Sequence, residues 1–183
     1  MIKIKTLLQS LNYNYLFIPA AVLFIFISIN ISKEFDKGTD FNVFYQAGVN
    51  FSNKVSLYTR IGGAERYIYP PFAAMVFQPF HLFAMPISGG VWIFINWVLF
   101  AATIYLIRRL LLQFNVEKKS ITIALTLGTI FSFRYVWYHA LYAQMNLLVL
   151  FLSLLSISLF LKGKQWGVVV CLAIAEAAGL GVV

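Results

Sequence analysis

The stretch VWIFINWVLFAATIYLI, residues 91–107, carries no charged side chain and ends on Arg108-Arg109. A helix needs about 20 apolar residues to cross a bilayer, so this run reads as a membrane span closed by cations. Working outward, further apolar runs lie at 16–31, 121–133, 145–161 and 167–183, with a shorter one at 72–85. Hydrophobic residues make up 61% of the 183, and charged residues only 11%. A mean hydropathy of +0.83 cannot come from one greasy helix on a polar body. This composition excludes a soluble enzyme, a secreted disulfide scaffold and a disordered regulator.

The net charge of +8 would suggest nucleic acid in a soluble protein. Here the cations fall in short clusters between apolar runs: Lys3/Lys5, Arg108/Arg109, Lys118/Lys119 and Lys162/Lys164. That placement is the orientation signal of membrane helices, and it argues against a nucleic-acid partner. The single cysteine, Cys171, lies inside an apolar run and allows no internal disulfide.

The basic start leads into an uncleaved first span, with Lys3 and Lys5 in the cytoplasm, so the next segment is outside. That loop holds four of the six acids: Glu34, Asp36, Asp40 and Glu65. Within it, Phe41, Phe44, Tyr45, Gly48, Phe51, Ser52 and Val55 share one helical face, predicting a helix lying on the membrane with its aromatics in the interface. Gly62-Gly63 reads as a turn. The cations of 108–119 and 162–164 belong to the cytoplasm, which returns 134–144 to the outer face. Residues 72–85 are too short for a comfortable span, and Pro86 with Gly89-Gly90 is expected to interrupt the pattern before residue 91. The predicted fold is an all-α, polytopic transmembrane helix bundle of four to six spans. It forms a single domain over 1–183: first span to 31, extracytoplasmic loop 32–71, further membrane helices 72–183.

Phosphate-loop, nucleophile-elbow, zinc-protease and paired-cysteine signatures are absent from the sequence, and its two histidines, His81 and His139, are far apart. Two constellations remain. The first joins Thr39-Asp40-Phe41 to Tyr45, Leu57-Tyr58 and Tyr67-Ile68-Tyr69-Pro70-Pro71. Asp40 is either a helix N-cap or a general base beside a lipid-borne substrate, and the two roles are compatible. The second is Arg134 to His139 followed by Gln144-Met145-Asn146. Its aromatics suit an interfacial belt, while Arg134 and His139 suit a phosphate. Gln144 and Asn146 head an apolar run and are expected to face the interior. Asn30-Ile31-Ser32 and Asn50-Phe51-Ser52 fit a glycosylation pattern that is common by chance. Glu176 is an acid within the last apolar run.

The order Asp40-Phe41-x-x-Phe44-Tyr45-x-Ala47-Gly48, Leu57-Tyr58, Tyr69-Pro70-Pro71-Phe72-Ala73, then Pro79, Pro86, Trp92 and Gln144-Met145-Asn146-Leu147-Leu148, resembles glycosyltransferase family 87. These are polyprenol-phosphate-mannose-dependent mannosyltransferases of the GT-C superfamily, and the resemblance spans roughly 36–178. It implies Asp40 as the catalytic residue, with Tyr45, Tyr69, Arg134, His139, Gln144 and Asn146 in substrate binding. It further implies a polyprenyl-phosphate sugar donor, a glycan or glycolipid acceptor, no cofactor or metal, and an extracytoplasmic site on a bacterial inner membrane. Ala143 stands where the family usually has Gly, and Glu176 near where it often has Lys. Family members are considerably longer, so an N-terminal fragment, inert by itself, is one expectation. The other alternative is a non-enzymatic membrane protein such as a transporter fragment or assembly subunit. A transporter would carry polar groups at mid-membrane, whereas polarity here lies outside, apart from Glu176.

Overall fold

The computed structural model describes residues 26–30, 39–58, 67–142 and 144–179, which form helices and turns with no strand among them. Most of the predicted first span, the Gly62-Gly63 turn, Glu34, Asp36, Glu65 and Ala143 lie outside the described residues. Among the described residues, 26–30 are helical, and from Asp40 on six α-helices follow one another: α1 Asp40–Ser52, α2 Pro71–Phe77, α3 Met85–Gln113, α4 Lys118–Leu141, α5 Asn146–Phe160 and α6 Gln165–Gly179, with a 3₁₀ helix Gln78–Leu82 between α2 and α3. Two of them, α3 and α4, are long and apolar enough to cross a membrane. At 1.5 Å per residue, α3 is about 44 Å long, beyond a hydrocarbon core of about 30 Å. Helices α5 and α6, with 15 residues each, are shorter.

Proline explains both the short helices after residue 70 and the place where structure departs from the sequence reading. Pro71 occupies the first turn of α2, where its missing N–H costs nothing, and Pro79 stands in the first turn of the 3₁₀ helix. Residues 72–82 therefore form two short helical pieces, as expected of a run too short for a span. Pro86 starts α3 instead of breaking it, and Gly89-Gly90 lie inside that helix, both buried. Gly90 is there because another helix passes close: a Cβ would stand 2.8 Å from the Ile29 backbone. The aromatic run after Arg134 is helical, because α4 continues through it to Leu141.

The helices α3 and α4 run antiparallel, as Trp97 against Phe133 and Trp137 at 6.3 Å each shows. Helix α5 packs on α3, and α6 on α5. Cations collect at one end of this array: Arg108 and Arg109 in the last turns of α3, Lys118 and Lys119 at the start of α4, and Lys162 and Lys164 in the turn between α5 and α6. At the other end lies the core: Phe41, Phe44 and Ala47 of α1, Ala73, Ala74 and Phe77 of α2, Trp92, Met145 and Ala178. The predicted face of α1 is thus buried, but by protein. Phe41 and Phe44 lie against Phe77 at 6.2 and 4.8 Å, while Val55 falls beyond the helix end and is exposed.

Gly48 lets α1 touch the C-terminal end of α2, since an added Cβ would meet the Phe77 carbonyl oxygen at 2.7 Å. A backbone neighbour cannot swing aside, so Gly48→Ala should cost about 1–3 kcal/mol. A lowered melting temperature in detergent is the expected reading, and an unchanged one would separate α1 from α2.

Candidate active site

The chain enters α1 from extended backbone at Thr39 (φ −86°, ψ 146°), which is the cap residue but makes no side-chain cap bond. Asp40 is therefore not the N-cap. It occupies the first helical turn, where the helix dipole favours a carboxylate. The Thr39 hydroxyl is buried and has no hydrogen-bond partner. Phe41 and Phe44, one helical turn apart, anchor this end of the helix in the aromatic core.

Tyr69 comes to Asp40 from the opposite strand of chain. Its ring lies 4.7 Å from Phe44 and 5.8 Å from Tyr67. Burial raises the Tyr69 phenol above its ordinary range, and the Asp40 carboxylate raises it further. The phenol thus stays a neutral donor beside a carboxylate. Tyr67, 3% exposed, gives its hydroxyl proton to the Pro70 carbonyl at 2.6 Å, and burial holds its phenol far above the usual range. Tyr58 reaches the Tyr69 carbonyl at 3.5 Å. Tyr45 donates to the Phe83 carbonyl at 3.0 Å, tying α1 to the end of the 3₁₀ helix. Tyr45 is thus engaged with backbone, whereas Tyr69 lies near enough to Asp40 for the carboxylate to raise its phenol.

The second constellation gathers where α4 meets α5. His139 Nδ1 lies in hydrogen-bond contact with Gln144 Oε1, and Asn146 Nδ2 donates to the same oxygen at 3.0 Å. The two amides satisfy each other and the ring, so they need no helix interior: Gln144 is half-buried and Asn146 exposed. Arg134 is apart from them. Five residues from His139 on one helix, it points about 140° away, with its guanidinium 5.9 Å from the Tyr138 ring centroid. Met145, which the sequence motif contained without a role of its own, joins both regions: it is 5% exposed and packs in the core with Phe41 and Trp92. Its only signal is a large apolar residue between two amides.

Elsewhere, Asn50 is buried within α1 and donates to the Ser56 carbonyl at 3.4 Å, which disfavours glycosylation there. Glu176 is exposed on α6. Among the described residues, no three or more His, Cys, Asp or Glu side chains are grouped to hold a metal ion.

Helices of membrane-crossing length, with a carboxylate framed by aromatics at one end, define a membrane protein whose polar chemistry gathers at one end of its helices. Residues 67–180 match the model of glycosyltransferase family 87, and the chain belongs to that family. The matched region includes Tyr69, Arg134, His139, Gln144 and Asn146, while Asp40 and Tyr45 precede it. No curated protein and no solved structure matches the chain. Family membership makes it a membrane glycosyltransferase, acting on a sugar donor and an acceptor.

Proposed function

We propose that this glycosyltransferase moves a mannose-like hexose from a polyprenyl-phosphate donor to an extracytoplasmic glycan or glycolipid, with Asp40 as general base. The observation that carries the reading is the Asp40 carboxylate at the head of α1, beside the neutral Tyr69 phenol. The end of the helix array opposite the cationic turns is, by the positive-inside rule, the outer face of a bacterial inner membrane.

In the reaction, Asp40 takes the proton from an acceptor hydroxyl as that oxygen bonds to the anomeric carbon. The bond from that carbon to the lipid phosphate breaks, and the phosphate leaves as an anion without needing a proton. Stabilising that developing charge is worth more than a general acid. Tyr69 can donate to substrate oxygens beside the base, and the His139–Gln144–Asn146 group binds substrate from the α4–α5 junction.

Membranes containing the protein, supplied with polyprenyl-phosphate radiolabelled mannose, should pass label to a glycan or glycolipid product. Transfer from a nucleotide sugar, with lipid-linked donor absent, would overturn the donor assignment.

A further inference from the structure

At the α4–α5 junction one acceptor serves two donors. Gln144 Oε1 accepts from Asn146 Nδ2 and is in close contact with His139 Nδ1. Gln144 Oε1 can only accept, so this contact is a hydrogen bond when Nδ1 carries the ring proton. A neutral imidazole has only one N–H, which leaves Nε2 with its lone pair exposed as an acceptor. The contacts of this ring within the cluster are all made through Nδ1, and among the described residues Nε2 has no partner. The ring is half-buried beside an exposed Asn146, so a ligand can reach it.

We propose that His139 binds a substrate hydroxyl, which donates to Nε2, and that Gln144 and Asn146 are positioning residues holding the proton on Nδ1. This rests on the sugar-transfer reading above and names the group recognised. A phosphate oxygen only accepts hydrogen bonds and gains nothing from an unprotonated Nε2, whereas a sugar hydroxyl donates to it. The cluster thus reads the polyol part of the substrate rather than its phosphate.

The test uses the full chain, ¹⁵N-labelled at histidine, in lipid nanodiscs at pH 8, with methyl α-mannoside and inorganic phosphate as probes. Loss of one signal in His139→Asn assigns the ring. The expected result is an unprotonated Nε2 that shifts with the mannoside and not with phosphate. A proton on Nε2, a response to phosphate alone, or no response to the mannoside overturns the proposal. Kinetics give an independent arm. Asn at 139 keeps a donor near the Nδ1 position and removes Nε2, so His139→Asn should raise KM for the hydroxyl-bearing substrate about tenfold with kcat little changed. His139→Gln, which places a polar group near the Nε2 position, should recover part of that loss. Wild-type KM in His139→Asn would mean that the ring only ties the junction together, and would overturn the binding role. If the protein transfers sugar from no donor at all, the sugar-transfer reading falls, while the NMR arm still decides whether Nε2 meets a hydroxyl.

Discussion

Asp40→Asn is expected to leave the protein folded in the membrane and to slow sugar transfer by about 10²–10⁴-fold, the usual contribution of a positioned base. The carboxamide keeps the size of the carboxylate and loses its ability to take a proton. The structural cost is small, because Asp40 lies in the first turn of α1 without being its cap. Losing a first-turn charge costs about 0.3–1 kcal/mol. The measurement is label transferred per unit of protein, with the amount in the membrane fixed by immunoblot. Transfer close to the wild-type rate would remove Asp40 as the base. Loss of the protein itself would move the residue from chemistry to folding.

Phe77→Ala should have the largest effect on stability, about 3–5 kcal/mol. Phe77 is 0% exposed and meets four rings: Phe44 at 4.8 Å, Trp92 at 4.7 Å, Phe80 at 5.3 Å and Phe41 at 6.2 Å. Truncation opens a cavity where α1, α2, the 3₁₀ helix and α3 converge, and a typical protein has only about 5–15 kcal/mol in total. Thermal unfolding in detergent reads the loss directly. Phe131→Ala is the matched comparison, since Phe131 on α4 is 76% exposed and should be nearly neutral. Equal losses in the two variants would show that this aromatic cluster is not the core.

Sequence pattern was enough to read helices throughout, a helix beginning at Asp40, and its aromatic face. Pattern could not identify what that face meets, because lipid tails and packed side chains are equally apolar to Phe41 and Phe44. The prolines misled for a related reason: the same residue ends one helix and opens the next, and only the chain's path separates Pro86 as a start from Pro86 as a break. Gly89-Gly90 read as an interruption because sequence does not reveal a neighbouring backbone, here Ile29, whose closeness requires a missing Cβ at Gly90. In the candidate site, His139, Gln144 and Asn146 were legible as polar residues beside an apolar run. Their mutual hydrogen bonds were not, since five residues of helix end and turn must bend before Gln144 returns to the ring. The closeness of Asp40 and Tyr69 is a tertiary fact, visible in sequence only as two separated motifs.

The burial of Ala178 against the α1–α2 cluster has a consequence for biosynthesis. Asp40 leaves the ribosome well over a hundred residues before Ala178 does. At about 5–20 residues per second, the helix carrying the acid waits roughly 7–30 s for Ala178 to join the cluster. During that interval its aromatic face has no finished partner, so the nascent chain is most exposed to misassembly and quality control while its chemistry is still incomplete. Completion of this core is therefore a late event of membrane insertion.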